Sequence, residues 1–347
     1  MRNILCVTLI ALLGGCTSTS VTEKYQDKRN DIINVKDKVI EFETGNVLIG
    51  SVSRLYMSNK CLLIADHKSV DKQIHIFNKN DFSYLTSIGN FGEGPEEITV
   101  MGCLAIDEAH HQLYVSDHAK QKIFSYDMDS VMVDSLYKPQ VKTAMNETLF
   151  PSEYQYINDT LSIAVLIKPT STSTFNQFLG RWNMNTGEMI PMKYTHPDIQ
   201  KKRITFAASE KAGIYVECYT RHDLMTICSL DGELLYNIYG PDWDGGNGNK
   251  LQSFGTVMIG NDKIFVSYCG EDYARDSFPT KILVFDLEGN YLKTLETGYK
   301  ISDCCYDSFN NRIILSLNDV VQFAYLDIDG IISVSYTHLR AHETLRH

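Results

Sequence analysis

Leu113-Tyr-Val-Ser-Asp117, followed by Lys122-Ile-Phe-Ser-Tyr-Asp127, is the stretch on which the fold turns. Two short runs of β-branched and aromatic residues flank a polar loop, and Asp127-Met-Asp129 turns the chain afterwards. Apolar alternation at period two reads as strand, and Asp or Asn clusters between such runs read as tight turns. Upstream of this pair lie Leu104-Ala-Ile-Asp107 and the glycine-rich Gly89-Asn-Phe-Gly-Glu-Gly-Pro-Glu-Glu-Ile98.

The first run recurs along the chain. It appears as Leu62-Leu-Ile-Ala65, Leu113-Tyr-Val-Ser116, Ser162-Ile-Ala-Val165, Ile214-Tyr-Val-Glu217, Ile264-Phe-Val-Ser267 and Ile313-Ile-Leu-Ser316. Its last residues are spaced by 51, 49, 52, 50 and 49. The second run recurs in step as Gln73–Phe77, Lys122–Tyr126, Phe178–Trp182, Met225–Ser229, Lys281–Phe285 and Gln322–Leu326. A turn follows each, such as Asp231-Gly232 or Glu288-Gly289, and then an outer run such as Leu234–Ile238. Four short strands per unit, six times over, predict an all-β, six-bladed β-propeller of four-stranded antiparallel blades. A helical solenoid would need long amphipathic runs, and none is convincing; a β-sandwich would not repeat at this period. Propellers close by lending an N-terminal strand to the last blade, and Val39-Ile-Glu-Phe42 is the expected closing strand.

Composition fits this reading. Of 347 residues, 44% are apolar and 22% charged, which excludes wholesale disorder. Tyr (20) and Phe (15) are plentiful, as strands favour. The net charge of −11 is the wrong sign for a nucleic-acid binder.

Both ends read as something other than the domain. Residues 1–15 read as a signal peptide: Arg2 is positive, and Ile4–Leu13 is an apolar run too short to span a bilayer. It ends in Leu13-Gly-Gly-Cys16, which resembles the bacterial lipobox, so Cys16 is the expected lipidation site. Thr17 rather than Asp follows it, which resembles lipoproteins destined for the outer membrane. Residues 16–38 are polar and are expected to form a flexible tether, with the propeller over 39–333. Residues 334–347, beginning Val334-Ser-Tyr-Thr-His338, resemble a translated sequencing adapter and are set aside as an artefact. Without both ends the net charge is −13.

The Ile88–Asp127 unit resembles an NHL repeat. With the lipobox and the sixfold period, the chain resembles the TolB-like six-bladed propeller lipoproteins of Bacteroidetes. That resemblance implies fold and compartment, an outer-membrane lipoprotein facing the periplasm, and implies no reaction.

Candidate chemistry centres on the loops after the first recurring run, expected together on one face around a central channel. They carry Asp66-His67, Asp117-His118 and Arg221-His222-Asp223, with Glu217, Glu271, Asp272, Arg275 and Asp276 nearby. One reading is a polar rim that takes a small ligand or a cation, since carboxylate with imidazole suits Zn and carboxylate alone suits Ca. The other is that each Asp ties down its own loop through backbone N–H groups. Asp242-Trp-Asp-Gly-Gly-Asn-Gly-Asn249 lacks the EF-hand pattern and reads as an inter-blade loop with an exposed Trp243. A metal-dependent lactonase would need Glu, Asn and Asp converging on one ion. Asp107 and Asp303 lie near inner strands, but no triad assembles from the spacing.

Seven Cys remain beyond Cys6 and Cys16, and no Cys-x-x-Cys pair exists, so a zinc ribbon is excluded. Several sit inside apolar runs, so buried thiols are the default reading, and Cys218 and Cys228, which flank one hairpin loop, are the pair that could bridge. The expected role is a non-catalytic binding or protein-interaction module with no required cofactor. Its partners are the membrane, through Cys16, and a glycan, peptide or envelope protein at the loop face, but not nucleic acid. The alternative is a metal-dependent hydrolase or lactonase holding Ca or Zn in the channel.

Overall fold

The protein is described by a computed structural model over residues 22–332, apart from 135, 172, 248–250 and 276. The signal segment, Cys16 and the 334–347 tail lie outside the described residues. Three short strands come first: β1 (Glu23–Tyr25), β2 (Ile32–Asn34) and β3 (Val39–Glu41). Blade I then consists of β4 (Ser53–Met57), β5 (Cys61–Asp66), β6 (Lys72–Asn78) and β7 (Tyr84–Asn90). Blade II holds β8 (Met101–Asp107), β9 (Gln112–Asp117), β10 (Lys122–Asp127), a single helical turn α1 (Met128–Val131) and β11 (Gln140–Ala144). Blade III is β12 (Phe150–Asn158), β13 (Leu161–Pro169), β14 (Phe175–Trp182) and β15 (Met189–Pro191). Blade IV is β16 (Ile204–Ser209), β17 (Ile214–Tyr219), β18 (Leu224–Ser229) and β19 (Leu234–Tyr239). Blade V is β20 (Leu251–Ile259), β21 (Lys263–Asp272), β22 (Lys281–Asp286) and β23 (Tyr291–Glu296). Blade VI contributes β24 (Ile301–Asp307), β25 (Arg312–Leu317) and β26 (Phe323–Asp327).

The six-bladed propeller expected from the period is borne out. β3 completes blade VI antiparallel to β26, with Val39 opposite Leu326 and Glu41 opposite Ala324. The Phe42 N–H continues the ladder to the Phe323 carbonyl at 3.1 Å. Gly232 (φ +86°) and Gly289 (φ +80°) sit in the turns after the third strands of blades IV and V, where a left-handed backbone favours glycine.

The core is six wedges rather than one mass, because each blade buries both faces against its two neighbours. Leu63 and Ala65 of β5 pack with Leu113 and Val115 of blade II, while Leu62 and Ile64 pack with Ile314 and Phe323 of blade VI. Strands buried on both faces read as continuous apolar runs, and β5, β17 and β25 are buried at every residue. This is why the second strands gave the clearest repeat. The recurring run is thus the second strand of each blade, not the innermost one. The channel is lined one strand further in, by β4, β8, β12, β16, β20 and β24.

One expectation is corrected. The segment expected to be a flexible tether forms a belt over its described part. β1 runs parallel to β19 on the rim of blade IV, and β2 runs parallel to β23 on the rim of blade V. Its polar composition belongs to an edge strand facing solvent, where backbone bonds do the holding. Val35 is its fully buried apolar side chain, and Arg29 donates to Asp223 at 2.8 Å. The seven described cysteines are free and buried, as the default reading expects, and Cys218 and Cys228 do not pair. Cys218 stands opposite Met225 and Cys228 opposite Tyr215, and the two thiols enter different wedges.

Candidate functional site

The residues that mark the repeat form one level of the disc, and their neighbours on the inner strands form the same level of the channel. Arg54 pairs with Ala65, Glu153 with Val165, Phe206 with Glu217 and Asp303 with Ser316. In blades II and V the register shifts near this level. There Cys103 accepts from Ser116 Oγ at 3.1 Å through its carbonyl, and Thr256 donates to Asp303 at 2.7 Å. One residue per blade (Arg54, Cys103, Glu153, Phe206, Thr256, Asp303) therefore rings a cavity of about 360 Å³. Towards the other end of the channel the lining becomes aromatic and apolar, with Tyr56, Tyr154, Tyr156, Tyr306, Met57 and Met258.

Arg54 Nη1 donates to Glu153 Oε1 at 3.0 Å, and each side chain is 38% exposed. The pair joins blade I to blade III past β8, whose Gly102, Cys103 and Ala105 are small. Burial disfavours the Arg54 charge, but the surrounding Tyr56, Glu153 and Asp303 more than reverse this and raise its pKa. Asp303 is buried; one oxygen accepts the Leu55 N–H at 2.8 Å and the other the Thr256 hydroxyl. Burial pushes its carboxyl upwards, opposed by Arg54 and these hydrogen bonds. Cys103 is no nucleophile, since burial pushes its thiol up to about 12.

The loop-face candidates divide. Asp66 accepts the N–H groups of Gly50 (2.7 Å) and Lys68 (2.9 Å). Asp117 accepts those of Thr99, Val100, Ala119 and Lys120. Asp223 binds Arg29 and the Asp242 N–H. These three tie down backbone. Glu217 is buried against Lys202 and Tyr219. Glu271 and Asp272 are exposed, the first 3.3 Å from Arg275 and the second accepting the Ala274 N–H. Arg221 lies over the Tyr273 ring at 4.3 Å.

His67 and His118 each have a buried Nε2 without a hydrogen-bond partner, and Glu153 acts on both. Burial lowers both pKa values, so both rings are neutral at neutral pH. The His118 ring occupies the space where a Cβ on Gly102 would fall, 2.4 Å from Nε2. Trp243 is not the exposed probe expected from the sequence. It is half-buried among Tyr239, His196 and His222, with ring centroids 5.0, 5.7 and 6.0 Å away.

Sequence reading singled out Asp303 but missed Arg54 and Glu153. A usable signal was present: the six channel residues precede the repeat markers by eleven to thirteen positions. The two acids considered for a metal triad stand at opposite ends of the channel, since β8 runs from Met101 at one mouth to Asp107 at the other. Asp107 is grouped there with His110 and Asp159. His110 Nδ1 is 2.9 Å from Asp107 and 3.8 Å from Asp159, and Tyr114 and Tyr156 donate to the two acids.

Residues 18–176, a little under half of the chain, match a family model described as a 6-bladed beta-propeller, DUF5128. No curated protein matches the chain in sequence. Among solved structures, the chain resembles a protein of Bacteroides fragilis described as exported, at 14% identity and a TM-score of 0.55, covering 85% of this chain and 87% of that one. It also resembles a member of the DUF4221 family from Bacteroides vulgatus, at 11% identity and a TM-score of 0.55, covering 86% and 98%. The Cps50 (Swd1) β-propeller domain of Myceliophteria thermophila is similar at 10% identity and a TM-score of 0.52, covering 83% and 98%. At these identities the likeness is one of fold.

Proposed function

We propose that this protein is a lipid-anchored envelope module that binds a small polar ligand at the channel mouth and performs no chemistry on it. The observation that carries this reading is the Arg54–Glu153 pair, half-open to solvent in a cavity of about 360 Å³. Concave sites of this size with few, placed polar groups are the usual form of a small-molecule site. Non-catalytic binding is favoured because Cys103 stays protonated and Asp303 is held by Leu55 and Thr256. Cys16 serves as the membrane anchor, and the exported Bacteroides fragilis protein of similar fold supports an address beyond the cytoplasm. The periplasmic side of the outer membrane is the proposed place. A glycan, peptide or envelope protein at the outer loops remains compatible with the same role.

The test is retention of small molecules from an envelope extract on the immobilised full chain, read by mass spectrometry. The expected result is a compound retained unchanged by the wild type and released by Arg54→Gln and Glu153→Gln. Conversion of the retained compound, or equal retention by both variants, would remove this reading. The anchor has its own test: Cys16→Ser should move the protein from the membrane to the soluble fraction, and unchanged membrane attachment would refute lipidation at Cys16.

A further inference from the structure

We infer that the channel ligand is a small zwitterion, with an ammonium and a carboxylate held apart on an apolar body, of the size of an amino acid or dipeptide; this rests on the channel-binding reading above. The charged level holds one cation, Arg54, and two carboxylates, Glu153 and Asp303. Arg54 and Glu153 already satisfy each other at 3.0 Å. Only Arg54 Nη1 and Glu153 Oε1 are used in that contact, so a ligand need not break the pair. A simple anion on Arg54 would bring a third negative group to a level with one cation. A simple cation on Glu153 would stand beside Arg54 with like charge. A zwitterion meets both at once: its carboxylate takes the open Arg54 edge, and its ammonium takes Glu153. The ligand then adds no net charge to the level.

Size and lining agree with this class. The cavity of about 360 Å³ holds a molecule of one or two residues and not a folded partner. Phe206 belongs to the charged level, and Tyr56, Tyr154 and Tyr156 line the wall beyond it, an apolar bed for an aromatic or aliphatic side chain. The Arg54 Nε and Nη2 groups have no partner among the described residues, so a carboxylate can meet the guanidinium edge with two bonds.

Calorimetric titration of the full chain with phenylalanine, Ala-Phe, N-acetyl-phenylalanine and phenylalanine amide tests this. Phenylalanine or Ala-Phe should bind, and capping either charge should weaken binding at least about tenfold. In Arg54→Gln the penalty for amidation should vanish, and in Glu153→Gln the penalty for acetylation should vanish. Because the capped ligands act on the wild type, the result does not depend on how the variants fold. Equal binding of the acetylated compound would make this an anion site and overturn the inference. No binding of any probe at on the order of 10 mM, which corresponds to an affinity weaker than about 3 kcal/mol, would also overturn it. If an extract compound were still retained through Arg54 in that case, the binding reading would survive the loss of the zwitterion. If nothing were retained, both would fall.

Discussion

Arg29 lies in a stretch whose composition spoke for a solvated leash, yet its guanidinium is among the most enclosed charges in the protein. It donates to Asp223 at 2.8 Å, the two side chains being 7% and 0% exposed. The Phe254, Tyr268 and Phe285 rings lie 5.5–5.7 Å away. Burial pushes the Asp223 carboxyl up, and Arg29 with the Asp242 N–H holds it down. Gly240 leaves room for this: a Cβ there would fall 2.1 Å from Asp223 Oδ2. Removing one partner of a buried pair costs about 3–5 kcal/mol. Arg29→Met and Gly240→Ala should each destabilise by that order in urea unfolding, and the double variant should cost less than the sum because both act on one contact. A loss below about 1 kcal/mol for Arg29→Met would mean that Asp223 does not need it. The loop role of Asp66 and Asp117 was legible, since an Asp that ends a strand before a polar loop has a local use. Arg29 was not, because its partner is 194 residues away and nothing in its neighbourhood announces it.

At the level of elements, legibility followed burial. The second strands stood out because both faces are enclosed, which demands apolar residues throughout. The inner strands carry Arg54, Gly102, Glu153, Thr256 and Asp303 because one side borders the cavity, and bulges in β8 and β20 break their alternation. β1 and β2 are shorter still and sit on outer edges. There the partner strand, not the local sequence, decides the conformation. Truncation separates these roles. Deleting residues through Asn34 should leave blade VI intact, lower the melting temperature and uncover the edges of β19 and β23. Exposed edges of that kind pair with other chains, so concentration-dependent association by size-exclusion chromatography is the expected companion. Deleting through Phe42 also removes β3 and should abolish a cooperative melt. Indistinguishable melts for the first deletion and the intact chain would show that the belt adds no stability.

Across the whole molecule, the titrating groups set a direction with pH. His67, His75, His118, His196 and His222 all have lowered pKa values, with burial as the largest cause in each. Between their folded values and the unfolded value of about 6.5 the unfolded chain binds more protons, so stability is lost as pH falls through that window. His110, exposed beside Asp107, is raised and opposes the trend. Asp223 and Asp303 are raised as well, which makes the folded state the better proton binder just above about pH 4 and slows the loss there. The melting temperature should therefore be higher at pH 7.5 than at pH 5.5 by differential scanning calorimetry. An unchanged or rising melting temperature on acidification would contradict the burial of these imidazoles. The six-blade plan was legible because one period governs the whole ring. The channel chemistry was not, because its residues come one from each blade and meet only when the ring closes.

Closure also fixes an order of events. Glu41 pairs with Ala324, so the strand that seals the ring is made first and finds its partner only about 280 residues later. During synthesis, blades I to V can assemble as each emerges, but β3 stays without its neighbour until the final hairpin arrives. Contacts at such separation form slowly, and an unpaired edge invites wrong partners meanwhile. The interval between the leading strand's arrival and the last blade's is when a chaperone that shields unpaired strands would matter most.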